Sequence, residues 1–171
     1  MQLEPLIHDV PDYPKPGIMF KDITPLLSDA AGLAMAVELM ASPFRGKGIQ
    51  AVCGAESRGF IFGTAIAQAL STGFVPIRKP GKLPRTTRSI TYDLEYGSDT
   101  LEIHTDAIAP GEKVLMVDDL LATGGTMKAC CDLVDHLGGK IVGVTVLIEL
   151  AFLNGRQRIV PYDNVHAVLN Y

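Results

Sequence analysis

Cysteine is scarce in this chain and poorly spaced for chemistry. Of 171 residues three are cysteines: Cys53 in an apolar stretch, and Cys130 and Cys131 side by side with no C-x-x-C spacing, which argues against a thiolate zinc site and against a disulfide framework. Histidine is nearly as sparse. His8, His104, His136 and His166 stand far apart without ligand spacing, so they read as structural or surface residues, and no Ser-His-Asp or Cys-His arrangement can be built on them. Positive charge is in deficit, with 15 Lys and Arg against 19 Asp and Glu and a net charge of -4. That balance argues against a nucleic-acid partner while leaving room for a local basic cluster. The most apolar stretch, Ile141 to Leu153, is too short for a membrane span and is interrupted by Glu149, so no membrane partner is expected. Met1 to Val10 carries acids where a signal peptide needs a basic start and an apolar core, and the expected location is cytoplasmic. Two common phosphate fingerprints are also missing. There is no Gly-Lys-Ser/Thr loop, and Gly46 to Ala51 matches G-x-G-x-x-A only as text, because it precedes a strand where that fingerprint must follow one.

What the chain does have is concentrated in Lys113 to Thr126, KVLMVDDLLATGGT. Val114 to Val117 is a β-branched, apolar run of the kind buried on both faces of a sheet, and it ends at two adjacent carboxylates, Asp118 and Asp119. Ala122, Thr123, Gly124, Gly125 and Thr126 follow, small or hydroxylated residues that let a backbone close tightly around a ligand. Met127 to Leu137 then carries helical spacing. A loop opening a helix presents unpaired N–H groups and the positive end of the helix dipole, a natural seat for a phosphate. Carboxylates beside such a seat suit vicinal hydroxyls, so the pattern fits a ribose 5-phosphate; the plainer reading of an Asp-Asp pair is a solvated turn with a cap.

A second unit of the same kind lies upstream. Ile49 to Cys53 reads as a strand, and Gly54-Ala55-Glu56-Ser57-Arg58-Gly59-Phe60 leads into a helix of about residues 61–70. Loop amides with one guanidinium suit a pyrophosphate, whereas a bland reading pairs Arg58 with Glu56. Phe74 to Ile77 makes a third strand, and Arg78, Lys79, Lys82, Arg85 and Arg88 then fall in a stretch rich in Gly, Pro and Thr. A cationic segment with little to pack is expected to move until an anion orders it, so residues 79–89 read as a flexible lid, the alternative being an ordinary solvated loop. Alternation in Ile90 to Tyr96 and Leu101 to His104 predicts a hairpin with one wet face. Val142 to Ile148 and Val165 to Leu169 are further strands, Leu3 to His8 a short helix, and Asp29 the cap of a helix ending near Ser42. Strands alternating with helices imply an α/β domain with a mainly parallel sheet and its ligand site at the carboxyl ends of the strands.

The Asp118 to Thr126 stretch resembles the 5-phosphoribosyl 1-pyrophosphate (PRPP) motif of the type I phosphoribosyltransferases. Beyond it, Pro-Lys-Pro-Gly-Ile-Met-Phe-Lys-Asp-Ile-Thr-Pro-Leu-Leu (residues 14–27), Glu-Ser-Arg-Gly-Phe (56–60), Arg-Lys-Pro-Gly-Lys-Leu-Pro (78–84) and Leu-Glu-Tyr-Gly (94–97) occur in the order seen in adenine phosphoribosyltransferases. The resemblance covers nearly the whole chain. It implies one twisted, mainly parallel sheet flanked by helices over residues 1–171, with a small base-binding hood at about 1–28 and the lid at 79–89. It also implies transfer of phosphoribose from PRPP to adenine to give AMP and pyrophosphate, in purine salvage, with Mg²⁺ as cofactor held mainly through PRPP and with Asp118 and Asp119 as candidate metal contacts. The residue assignments implied are Asp118, Asp119 and Ala122 to Thr126 for PRPP and AMP; Glu56, Ser57, Arg58, Gly59, Arg78, Lys79 and Lys82 for pyrophosphate; and Met19, Phe20, Lys21 and Leu120 for adenine. Glu95 joins Arg58, Asp118 and Asp119 as catalytic, near the base proton, unless it is simply an exposed strand residue, and Tyr96 is a gate. Lys21 stands where some relatives have arginine. A homodimer is expected by the same analogy. A phosphoribosyltransferase for another purine such as xanthine, or a non-catalytic PRPP-sensing regulator, would keep the PRPP loop.

Overall fold

The apolar, β-branched runs lie side by side in one sheet because each is flanked by residues that can only turn. In the computed structural model, which describes residues 2–94 and 97–171, the order is β4 (Gly73–Ile77), β3 (Ala51–Ala55), β7 (Lys113–Leu121), β8 (Lys140–Glu149) and β9 (Val165–Asn170), all parallel. Period-two alternation splits β7 between two cores. Val114 and Met116 pack with Cys53, Leu133 and Val134, whereas Leu115 and Val117 pack with Val52, Met40 and Phe62. The first core is roofed by α4 (Gly125–His136) and the second by α2 (Ala30–Ala41) and α3 (Arg58–Ala69). Asp29 caps α2 as expected, its carboxylate accepting the Gly32 N–H at 2.6 Å.

Two antiparallel pairs stand outside this sheet. β1 (His8–Pro11) pairs with β2 (Met19–Asp22), and β5 (Thr87–Asp93) pairs with β6 (Ser98–His104). The first pair corrects the expectation of a helix over Leu3 to His8, of which a single 3₁₀ turn, Glu4–Leu6, remains. The turn through Pro11 to Gly17 brings residues 8–11 back against 19–22, and pairing across the ribbon outweighs a local helix preference. The second pair begins three residues earlier than Ile90, so Thr87, Arg88 and Ser89 belong to β5 and to no loose loop. Its register is anchored from below, since Arg78 and Glu102 exchange backbone hydrogen bonds of 2.9 and 2.7 Å. The short helices α1 (Thr24–Ser28) and α5 (Gly155–Arg158) complete the fold.

Candidate active site

The carboxyl ends of β3 and β7 open into a cavity of about 490 Å³ lined by residues 56–58 and 118–127. Its acidic wall differs from the sequence expectation in one respect: β7 does not end at Asp118 but runs on to Leu121, still paired with β8. What ends is β3, whose last partner on β7 is Val117. From Asp118 onward that edge of β7 is therefore unpaired, and the two carboxylates sit at the exposed edge beside the cavity. Asp119 is buried, 6% exposed, and its Oδ2 lies 2.8 Å from the Nε of Arg58. Asp118 accepts the Asp119 N–H at 2.9 Å, and a Cβ on Gly59 would come within 3.0 Å of its carboxylate, so glycine at that position leaves the acid its place. Burial, and then the Asp119 carboxylate beside it, push Asp118 well above the usual carboxylate range. Two adjacent acids at a cavity mouth, Asp119 buried and Asp118 partly so, mark a site where a bound group completes the electrostatics.

The loop from Ala122 to Thr126 forms the opposite wall and runs into α4. Gly124 has φ +85°, a left-handed conformation that costs a side-chain-bearing residue, and it serves as the N-cap of α4 without any side-chain cap. The N–H groups of this first turn thus keep no side-chain partner from their own cap, and they adjoin the cavity. Thr126 is reached from outside the loop by the Tyr92 hydroxyl at 3.2 Å.

Facing the acids, residues 56–59 carry the start of α3. Arg58 does not pair with Glu56; it pairs with Asp119, and its guanidinium also lies 5.1 Å from the centre of the Phe20 ring. Glu56 turns toward the other cations. Its Oε2 accepts from Arg78 Nη2 at 3.0 Å and stands 4.0 Å from Lys82 Nζ, while Oε1 accepts the Lys79 N–H. Burial alone would raise the Glu56 carboxyl, but these donors and cations hold it below its ordinary range. As an anion Glu56 gathers these positive groups at the cavity wall. Beside it the Nε of Arg78 is buried and has no acceptor among the described residues. The segment 79–86 is tethered at both ends, through the Lys79–Asp99 and Arg85–Asp106 ion pairs.

The base-side residues stand on β2. Lys21 is turned away from the cavity region, with Nζ 2.6 Å from Asp9 and 3.7 Å from the centre of the Tyr171 ring. Phe20 points to the other face, its ring edge-on to Tyr13 at 5.0 Å and against Arg58, while Met19 is 49% exposed. Alternation along the strand accounts for this division. Leu120, opposite Ile148 on β8, lines the cavity, as do Ser57 and Arg58, whereas Gly59 lies just behind against Asp118. Glu95 and Tyr96 lie outside the described residues. Sequence reasoning missed Leu121 and Met127, which also line the cavity, and Tyr92, Asp99, Arg156 and Arg158, which hold its walls. Only Tyr92 and Asp99 had a signal that could have found them, their place in the hairpin beside the Leu-Glu-Tyr-Gly motif.

Comparison with known proteins meets the same elements. A sequence model described as the phosphoribosyl transferase domain matches residues 24–169. An adenine phosphoribosyltransferase from Rhodopirellula baltica is 56% identical over 171 residues, all of this chain and 82% of that protein. The crystal structure of adenine phosphoribosyltransferase from Thermoanaerobacter pseudethanolicus superposes with a TM-score of 0.95 at 47% identity, covering 99% of this chain and 100% of that one. The Saccharomyces cerevisiae enzyme, solved with adenine and an imino-altritol bisphosphate, superposes with a TM-score of 0.90 at 39% identity, covering 98% and 96%.

Proposed function

The chain belongs to the phosphoribosyltransferase family, within its adenine phosphoribosyltransferases, and from that premise we propose how its residues move 5-phosphoribose from PRPP to N9 of adenine, giving AMP and pyrophosphate. The observation that carries the reading is one cavity in which Asp118 and Asp119 face a helix-opening loop of small residues, Ala122 to Thr126. Loop amides hold the 5-phosphate and the carboxylates hold the ribose hydroxyls. As the C1–O bond breaks, negative charge grows on the pyrophosphate, and Arg58, Arg78, Lys79, Lys82 and the amides around Ser57 and Gly59 stabilise it. Glu56 acts by collecting Arg78, Lys82 and the Lys79 N–H. Closure of residues 79–86, the part of the expected lid that lies outside β5, keeps water from the cationic ribose carbon.

Mg²⁺ fits this donor set as a guest of the substrate. Among the described residues no cluster of three or more His, Cys, Asp or Glu could hold a metal alone, while the two adjacent carboxylates offer the hard oxygens that supplement phosphate and hydroxyl ligands. Bound there, the ion would neutralise charge on the leaving group. The base reads against β2, where Met19 and Lys21 present their backbone groups to the same edge, with Phe20 and Leu120 at the two faces of the ring; Lys21's side chain is already occupied, so its backbone is the part left to read adenine. The yeast relative's structure, solved with adenine, supports adenine as the base. Glu95 is the candidate for the purine proton and Tyr96 for a gate. A homodimer in the cytoplasm is the expected setting, and among the described residues no helix is long and apolar enough to cross a membrane. The test is formation of AMP and pyrophosphate in equal amounts from PRPP, adenine and Mg²⁺. No AMP under those conditions would overturn the reading.

A further inference from the structure

Behind the Ala122–Thr126 loop, on the side away from the cavity, lies a segment that the reaction itself does not call on. Gly155, the first residue of α5, is buried, and a Cβ placed on it would stand 2.3 Å from the Ala122 carbonyl oxygen and 3.1 Å from Leu121 Cγ. The relation is mutual, because a Cβ on Gly124 would stand 2.5 Å from the Gly155 carbonyl oxygen. Loop and turn therefore meet backbone to backbone, each glycine making room for the other. Such contact transmits position: anything that displaces Gly155 must displace Ala122 and Gly124.

α5 is only four residues long and cannot hold itself in place. Its anchor is Arg156, whose Nε lies 2.8 and 2.9 Å from the two carboxylate oxygens of Glu149 and whose Nη2 lies 2.6 Å from Oε2. Glu149 is 5% exposed at the end of β8, and Arg156 Nη1 donates to the Val165 carbonyl of β9 at 2.9 Å. A fork-shaped, many-point attachment fixes orientation as well as distance. The sheet thus reaches the phosphate loop by a second route, through β8, Glu149, Arg156 and Gly155, besides the direct one along β7.

We infer that Gly155 and the Arg156–Glu149 pair are positioning residues for the phosphate loop, setting the affinity for the 5-phosphate of PRPP without touching it. The inference rests on the reading of that loop as the 5-phosphate seat. It makes the two substrates respond differently. Gly155→Ala and Arg156→Met are expected to raise KM for PRPP about 10- to 100-fold, since a displacement near 1 Å in a binding frame has effects of that order, with KM for adenine changed less than about twofold. Arg156→Lys, which keeps the charge and loses the fork, falls between Met and wild type. A purely structural role would lower the melting temperature and the active fraction and leave both KM values alone. Binding of ribose 5-phosphate by calorimetry gives a readout independent of turnover, and it should weaken in parallel with KM for PRPP. Unchanged KM for PRPP in folded Gly155→Ala and Arg156→Met, or equal rises for both substrates, would overturn the inference. If the wild-type protein makes no AMP but binds ribose 5-phosphate and the variants lose that binding, the functional reading fails while the positioning role stands.

Discussion

Asp118 to Thr126 continue a strand, β7, whose apolar residues are buried in two cores, and Gly155 is pressed against the rear of that loop; Met19 to Lys21 lie on a two-stranded ribbon where Met19 is 49% exposed. The first region takes its shape from the sheet, and its chemistry comes from two acids and from amides of a helix start. The second is held by side chains: Asp9 and Tyr171 on Lys21, Tyr13 and Arg58 on Phe20. The contrast suits the proposed division of labour. A phosphorylated sugar needs a fixed cradle, whereas a flat base needs an edge of backbone and two apolar faces that can approach from the side. Arg58 is the side chain that touches both regions, pairing with Asp119 and lying over Phe20.

The sheet-built half is the one whose loss should be felt most. Replacing Asp118 and Asp119 together by asparagine is expected to lower PRPP-dependent turnover by about 10²-fold or more with the fold intact, since charged contacts to the ribose are lost. Near-native turnover with native circular dichroism would show that the acids do not hold the sugar. In the ribbon, Lys21→Met should raise KM for adenine by roughly 2- to 30-fold, the range of a partly desolvated cation–π contact and its ion pair, with KM for PRPP unmoved and Lys21→Arg near wild type. A parallel rise in KM for PRPP would erase the separation between the halves.

Much of this was legible in the sequence because it is local. The apolar run of β7, the small residues after it and the arginine opening α3 each announce themselves within fifteen residues, and the helix capped by Asp29 lies where its spacing put it. What stayed hidden was set by partners far along the chain. Asp118 and Asp119 face the cavity because β3 ends opposite Val117, a fact of register that no run of residues in β7 records. Arg58 looked equally able to pair with Glu56, its near neighbour, and pairs with Asp119 because α3 brings it across the sheet edge. Residues 79–86 looked unanchored because the partners of Lys79 and Arg85 come later in the chain, Asp99 from the hairpin and Asp106 from the turn after it. Arg156 and Gly155 carried no motif at all.

Two smaller effects sharpen the comparison. Of the ion pairs tethering residues 79–86, Arg85–Asp106 is exposed and Lys79–Asp99 half-exposed, so raising salt from about 0.05 to 0.5 M should speed proteolysis within that segment, and Mg²⁺ with PRPP should slow it. Cutting rates indifferent to both would mean that the segment neither relies on these pairs nor answers the ligand. The other effect is on stability. Asp118 has its pKa raised in the folded protein, so the folded state holds that proton more tightly than the unfolded one, and the stability this contributes is present at low pH and lost as pH rises through the raised value. Asp118→Asn should therefore melt higher than wild type near about pH 8, with the gap closing toward about pH 4. A lower melting temperature at the higher pH would contradict the burial argument.

The central claim is that the ribbon's backbone edge chooses the base while the sheet-built cradle is indifferent to it, and competition between adenine and hypoxanthine for limiting PRPP tests it most directly. Adenine offers an acceptor at N1 beside an amino donor, and hypoxanthine offers a donor beside an oxo acceptor, so one backbone edge cannot satisfy both, and stacking on Phe20 and Leu120 cannot tell them apart. Buried groups left unpaired by the wrong purine should give a preference for adenine of roughly 10⁴-fold in kcat/KM. A preference under about tenfold would contradict the assignment of Met19 to Lys21 as the reading edge and leave the PRPP cradle standing.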